Sequence, residues 1–395
     1  MCQGCDRIRF KLQVYRKNKS PIVHLNEYCI FANMETDDLS KIPIFFIFGR
    51  PRSGTTLLTT LFNAHPNIRI APEFPIMLFL YQRFRKVKTW DEAMIRSFVD
   101  HVYEYSKFSL RRVENLKLDK EFIVSELLKY KEKASIQLFL KSINYYAYSV
   151  YHKEETLWIG DKNPIYSIYA GRLRKIFPEA KFICIIRDYR DNFVSIQKLA
   201  DKDIAVEAPV LSLQTGRWRY FIRLYLKCKS RFPERYYILR YEDLVTEQEK
   251  TVRSLCDFLG IVYDPSVFDF YKKKDEVSEI FSNTIWEKFH ENLLKPVNTG
   301  RMNTWQDKLT DEQVRMADQI AGKYADKLGY ERQKKRFSLV LFLKASPMLA
   351  YNYILLTLMV VGTYLPAKAS QWWFFKATIL LKTYLKIFGK KPVPK

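Results

Sequence analysis

The chain has 395 residues, of which 48% are apolar, and its 66 Lys and Arg outnumber its 43 Asp and Glu to give a formal net charge of +23. This length and apolar content suffice for one large domain or two ordinary domains with a hydrophobic core. They exclude a disulfide-stabilised mini-protein, a collagen-like chain and a disordered protein. The charged N-terminal segment has no apolar stretch typical of a secretory signal, so a reducing, cytoplasmic location is expected.

Predicted strands and helices alternate along the chain. The first strand, Ile42–Phe48, is followed by a loop and by a helix at Thr56–Asn63, and residues 76–155 are predicted to form a helical insertion. Further strands are predicted at Thr156–Ile159, Lys181–Ile186 and Tyr236–Leu239, and further helices at Asp191–Leu199, Glu247–Leu259 and Asp311–Leu328. Strands that alternate with helices indicate an α/β fold with a parallel sheet flanked by helices.

The C-terminal region has a different composition. Residues 332–395 contain 12 Lys or Arg and no Asp or Glu, and the apolar run Leu349–Leu365 has 17 residues, the lower limit for a spanning helix. Trp, Tyr and Lys follow it in a pattern typical of a bilayer interface. We predict that this hydrophobic basic tail associates with an anionic membrane surface on its cytoplasmic face, as an interfacial or re-entrant hairpin broken at Pro366. A clean membrane span and a buried C-terminal helix pair are the alternatives.

We therefore expect an N-terminal extension at residues 1–40, an α/β domain at 41–331 and the tail at 332–395. Cys2 and Cys5 form a CxxC pair, but no second pair or His cluster completes a metal site, so no metal is expected.

The loop GRPRSGTT between the first strand and the first helix predicts an anion site. Gly49 and Gly54 have the spacing of a P-loop, whose backbone N–H groups and helix end bind phosphate. Thr55 stands where loops that bind nucleoside triphosphates have Lys, and the cation here is Arg52. The loop therefore predicts a different phosphorylated ligand, with a simple glycine turn as the alternative.

The motif PRSGTT resembles the 5′-phosphosulfate loop of the sulfotransferases, which transfer a sulfuryl group from 3′-phosphoadenosine 5′-phosphosulfate (PAPS). Within that family it is similar to the subgroup that includes tyrosylprotein sulfotransferases and bacterial members. The resemblance covers residues 42–306 in scattered motifs. It implies a P-loop-type sheet, PAPS as co-substrate and no metal. It implies that PAPS, the sulfuryl donor, is bound by the following residues: Arg52, Ser53, Gly54, Thr55, Thr56, Arg187, Ser195, Tyr241 and Arg301.

Within that set, Arg187 and Ser195 resemble the family's 3′-phosphate site, and a guanidinium and a hydroxyl both donate to phosphate oxygens. Tyr241 resembles a residue that contacts the nucleotide, and Arg301 lies in a loop that resembles the nucleotide-closing segment. For each residue an ordinary structural role is the alternative.

Sulfuryl transfer needs a base beside the acceptor and cations beside the donor. By the resemblance, Glu73 is the candidate base, Lys162 the partner of the bridging oxygen and Arg52 the residue that holds the phosphosulfate. A surface position is the alternative for Glu73. His65 could compete as base, although we favour a helix-ending role for it.

We predict a PAPS-dependent sulfotransferase that acts on a hydroxyl acceptor, and the tail favours a lipid, sterol or glycolipid. The alternatives are a P-loop small-molecule kinase and a basic protein that binds membranes or nucleic acid. Nucleic acid is not expected as a partner, because no RNA- or DNA-binding motif occurs and half of the net charge lies in the apolar tail.

Overall fold

The computed structural model describes residues 36–108, 116–149, 155–201, 208–273 and 297–365, together with residues 151, 153 and 369. The chain forms two compact units, residues 1–41 and 42–395. Helix α1, Thr36–Lys41, belongs to the first unit, and every other element below belongs to the second. The Cys2–Cys5 pair and the predicted hairpin at Pro366 lie outside the described residues, and the predicted boundaries at 40 and 331 stay predictions.

Within the described residues, five parallel strands form one sheet in the order β2-β3-β1-β4-β5. The strands are β1 Ile44–Gly49, β2 Ile68–Ile70, β3 Trp158–Lys162, β4 Lys181–Ile186 and β5 Tyr236–Arg240. Strand β1 pairs with both β3 and β4, and Phe46 stands opposite Asp161 on one side and Phe182 on the other. The predicted α/β fold with a parallel sheet is confirmed.

The helices of the second unit are α2 Thr55–Ala64, α3 Met77–Phe84, α4 Glu92–Phe108, α5 Lys120–Leu128, α6 Ile136–Tyr146, α7 Ala170–Ile176, α8 Tyr189–Ala200, α9 Leu211–Arg231, α10 Tyr241–Thr246, α11 Gln248–Leu259, α12 Asp311–Ala321, α13 Lys323–Lys327 and α14 Leu339–Gly362. Short 3-10 segments lie at Lys131–Lys133, Pro164–Tyr169 and Pro265–Lys273. Helices α3 to α6 form the predicted insertion between β2 and β3.

Alternate side chains of β1 point to the two covered faces of the sheet. Phe45 and Ile47 join a buried cluster with α2, α11 and the segment at Pro265–Lys273. On the other face, the ring of Phe46 lies 5.6 Å from that of Phe182. All six residues of β1 are buried, as expected for a parallel strand covered on both faces.

Several elements differ from the sequence prediction. Strand β3 runs to Lys162, three residues beyond the predicted end at Ile159, so Lys162 is a strand residue. Strand β2, with three residues, is too short to show periodicity, and α9 was not predicted at all. The helix predicted at Asp311–Leu328 is two helices, because Gly322 separates α12 from α13 with a φ of 60°.

Helix α14 begins ten residues before the predicted apolar run, since Ser338 caps it by accepting a hydrogen bond from Leu341 N. Among the described residues, α14 is the one helix that is long and apolar enough to cross a membrane. It packs against α9 and α12.

Candidate active site

The phosphate loop connects the end of β1 to the start of α2. Within it, Arg52 has a φ of 67° and Gly54 a φ of 94°, in the left-handed region. Left-handed residues in such a loop turn successive N–H groups toward one point and form an anion-binding nest. Gly54 also permits a close approach, because a Cβ there would lie 2.5 Å from Cδ2 of Tyr241. The free N–H groups at the start of α2 add to this positive end.

Three arginines converge beside this loop. Arg187, just after β4, donates from Nη1 to the Arg52 carbonyl at 3.0 Å and from Nη2 to the Arg301 carbonyl at 2.5 Å. The guanidinium of Arg187 also lies 4.8 Å from the ring centre of Tyr241, and Arg52 Nε donates to Ser195 Oγ at 3.1 Å. The structure thus brings together five of the residues predicted to bind the donor.

The three arginines concentrate positive charge beside the loop. Burial, followed by the charges of Arg301 and Arg187, lowers the pKa of Arg52 to about 10. In addition, the buried Nε of Arg187 has no acceptor within the described residues. A buried donor left unsatisfied costs about 1–3 kcal/mol, so these residues fit an anionic ligand with several phosphate oxygens.

Asp191 fixes the segment that follows Arg301. Its carboxylate accepts hydrogen bonds from Asn303 N at 2.7 Å, Thr304 Oγ1 at 2.8 Å and Trp305 N at 3.1 Å. Burial raises the pKa of Asp191, while Arg187 and these hydrogen bonds oppose that shift. Sequence reasoning missed this role, although Asp191 lies within the segment that pointed to Arg187 and the later Ser195.

Asn192 has a similar role toward the phosphate loop. Its Nδ2 donates to the Pro51 carbonyl at 2.8 Å and to Ser53 Oγ at 3.2 Å. The Ser53 side chain is buried and faces Asn192. Asn192, which sequence analysis also missed, therefore anchors the loop to α8.

The candidate base and its cationic partner form an ion pair. Lys162 Nζ donates to Glu73 Oε1 and lies 3.4 Å from Thr56 Oγ1. The side chains of Lys162 and Glu73 are only 5% and 12% exposed, so Glu73 is not a surface carboxylate. Lys162 thus connects the phosphate loop to the candidate base.

Asp161, the residue before Lys162, places a second carboxyl group near this ion pair. Asp161 is buried and accepts from Asn144 Nδ2 at 3.1 Å and from Asn163 Nδ2 at 2.5 Å. Burial raises the pKa of Asp161 to about 7; the two amides and Lys162 oppose this shift, and Glu73 adds to it. Nothing in the sequence pattern marked Asp161, because its partners come from α6 and from the residue after β3.

His65 stands apart from this chemistry. It follows α2, its Nε2 lies 2.9 Å from the Val262 carbonyl, and its Nδ1 accepts from Asn67 N at 3.1 Å. Both ring nitrogens are therefore engaged with backbone atoms, which fits the helix-ending role.

The family model described as the Sulfotransferase family matches residues 43–265 of this chain. The chain belongs to the sulfotransferase family. The matched residues include every candidate site residue except Arg301. The kinase interpretation is not retained for this sulfotransferase.

Named relatives and solved structures are similar to this sulfotransferase at low identity. Protein-tyrosine sulfotransferase 1 of Danio rerio is 26% identical over 294 residues, which cover 73% of each chain. Protein-tyrosine sulfotransferase 1 of Homo sapiens is 27% identical over 297 residues, 73% of this chain and 70% of its own. The solved sulfotransferase domain of the Synechococcus PCC 7002 olefin synthase is 22% identical, with 73% of this chain and 95% of that chain covered at a TM-score of 0.48.

Proposed function

We propose that this sulfotransferase takes its sulfuryl group from PAPS and transfers it to a hydroxyl acceptor. The observation that carries the proposal is the cluster of Arg52, Arg187 and Arg301 around the phosphate loop, in which the Arg187 Nε has no acceptor among the described residues. Arg52 and the N–H groups at the start of α2 would hold the 5′-phosphosulfate. Arg187, Arg301 and Ser195 would hold the 3′-phosphate, and the Tyr241 ring would pack against the nucleotide.

The reaction needs one proton transfer and one displacement. Glu73 accepts the proton of the acceptor O–H, the acceptor oxygen forms a bond to sulfur, and the bond between sulfur and the 5′-phosphate oxygen breaks. Lys162 stabilises the charge that develops on that leaving oxygen. Its location between Glu73 and Thr56 suits this role, since it adjoins both the base and the phosphate loop.

Calorimetric binding of 3′-phosphoadenosine 5′-phosphate, with ATP as the comparison ligand, tests the donor site. We expect the bisphosphate to bind, and Arg187→Ala to weaken it by about 10- to 100-fold, since a hydrogen bond to a charged group contributes roughly 1.5–3 kcal/mol. The control is Arg253→Ala, an exposed arginine paired with Glu249 on α11. Binding of ATP that is indifferent to Arg187 would overturn the proposal.

Two acceptors have a supporting observation. For a lipid, sterol or glycolipid hydroxyl, the support is the segment just after α14, where the Leu365 carbonyl accepts from Gln82 Nε2 of α3 at 3.0 Å. Helix α3 begins four residues after Glu73, so the segment after α14 contacts the helix that follows the candidate base. For a tyrosyl hydroxyl, the support is the name of the curated relatives.

We propose the lipid-type acceptor and treat tyrosine as the second candidate. Transfer of radiolabelled sulfuryl from PAPS is measured with sterol- and glycolipid-containing vesicles and, separately, with tyrosine peptides. Label in the lipid fraction that requires Glu73 supports the proposal. Label in the peptide alone overturns it in favour of tyrosine and leaves the donor assignment intact.

A further inference from the structure

The two sides of helix α14 are both apolar. Five of its buried residues repeat every three or four positions, namely Leu341, Ala345, Met348, Asn352 and Leu355, and Leu356 and Gly362 are also buried. The large exposed apolar residues on the opposite side are Leu339, Leu343, Tyr353, Ile354 and Val361, and we call them the apolar face. Surface helices of water-soluble domains normally direct charged and polar residues outward. The apolar face carries no charge, which is typical of a surface that meets a non-aqueous partner.

Contacts with the rest of the domain fix the direction of this face. Arg217 Nε of α9 donates to the Oδ1 of buried Asn352 at 3.2 Å. Nearer the start of the helix, Lys344 Nζ pairs with Glu312 of α12 at 2.8 Å. A transmembrane orientation would pull α14 away from α9 and α12 and break both contacts. The helix can therefore meet a bilayer only by lying along its surface.

Charge identifies the partner. Lys335 and Arg336 are exposed just before the helix, and residues 366–395 of the sequence contain seven Lys and no Asp or Glu. Basic side chains beside an apolar helix face are attracted to anionic lipid headgroups. A second copy of the chain would bring the same positive charge to the same face and would be repelled.

We propose that the apolar face of α14 docks this sulfotransferase on anionic bilayers, with the helix in the plane of the membrane. Leu343 and Ile354 enter the boundary between headgroups and acyl chains, and Lys335 and Arg336 contact the headgroups. This surface is independent of the donor chemistry proposed above.

Vesicle co-sedimentation of the full chain tests the proposal. The vesicles are phosphatidylcholine with or without phosphatidylserine, at low and high salt. We expect binding only to the anionic vesicles, weakened by salt, and a loss of about tenfold or more with Leu343→Glu or Ile354→Glu. The control Val262→Glu adds the same charge at a residue that is 85% exposed. The neighbours of Val262, Ile261 and Tyr263, pack on the sheet face away from α14. The Val262→Glu variant should therefore bind anionic vesicles as well as the wild type does.

Retained binding of 3′-phosphoadenosine 5′-phosphate and unchanged thermal unfolding show that the variants are folded. The proposal is overturned if the wild type does not sediment with anionic vesicles. It is also overturned if both variants bind as wild type does, since residues 366–395 would then carry the association. Self-association of the wild type that Leu343→Glu abolishes would identify a second copy as the partner instead.

Discussion

Lys162, at the carboxyl end of β3, donates a hydrogen bond to Glu73, which lies in the loop after β2. The two residues are 89 positions apart in sequence, and the whole helical insertion separates them. They meet because β2 and β3 are neighbouring parallel strands whose carboxyl ends share one edge of the sheet. Ligands of open parallel sheets bind at this edge.

Glu73→Gln should lower turnover by about 10²–10⁴-fold, the usual contribution of a general base. The affinity for 3′-phosphoadenosine 5′-phosphate should change by less than about threefold, since the proposed role of the carboxylate is to bind the acceptor proton and not the phosphates. Steady-state sulfation and calorimetry measure the two effects. Glu132→Gln, at a largely exposed glutamate, is the control and should alter neither. Equal losses in turnover and donor affinity would contradict the assignment.

Gly54→Ala should weaken both folding and donor binding. The added methyl would have to occupy a φ of 94° and approach Tyr241 Cδ2 to 2.5 Å. The left-handed conformation alone costs a non-glycine residue about 1–2 kcal/mol. Chemical denaturation should show at least that loss.

The matched control is Gly171→Ala in α7, where an added Cβ meets nothing within 4 Å. It should leave stability unchanged or raise it by about 0.5–1 kcal/mol, because Ala favours helix over Gly. Equal effects of the two substitutions would refute the role of Gly54 in the loop.

Asp191→Asn should raise the dissociation constant of 3′-phosphoadenosine 5′-phosphate by about tenfold. The amide can accept fewer of the three hydrogen bonds that hold residues 303–305, and Arg301 would lose its support. The comparison is calorimetry with Asp307→Asn, which removes the charge of an exposed aspartate in the same segment. An unchanged dissociation constant in Asp191→Asn would show that this anchoring is not needed.

Asp161 should make the protein less stable as the pH rises. Its pKa is raised from 3.8 to about 7, so the folded protein keeps a proton that the unfolded chain has already released. The stabilising effect is present below the unfolded pKa and is lost as the pH rises through about 7. Between about pH 5 and pH 8 the free energy of unfolding should fall by about 2–3 kcal/mol from this group.

Asp161→Asn should remove that part of the pH dependence, since an amide does not titrate. Denaturant unfolding of both proteins at pH 5 and pH 8 measures the difference. Parallel pH profiles in wild type and Asp161→Asn would show that Asp161 has an ordinary pKa.

The local motif around the phosphate loop was predictable because it depends on neighbours in sequence. A buried strand, a loop with Gly49 and Gly54, and an amphipathic helix follow one another within about twenty residues. The resemblance then supplied Glu73 and Lys162, which the structure brings into contact. Their catalytic roles stay predictions until the variants are measured.

The supporting residues could not be predicted because their partners are distant in sequence. The anchoring role of Asp191 depends on backbone N–H groups that lie more than 100 positions away in sequence. Asp161 depends on Asn144 of the insertion, which no periodicity connects to β3. The extent of α14 was underestimated because Lys344 interrupts the apolar run, whereas the structure pairs that lysine with Glu312.

Because α14 packs against α9, this helix is part of the folded domain. Leu349 approaches Gly216 of α9 so closely that a Cβ on the glycine would lie 2.6 Å from Cδ2 of the leucine. Truncating the chain before α14 would remove the residues that cover one side of α9 and would expose the apolar side chains of α9 to water. The proposed membrane attachment and the folding of the domain therefore depend on the same helix, so a truncated enzyme could not test one without disturbing the other.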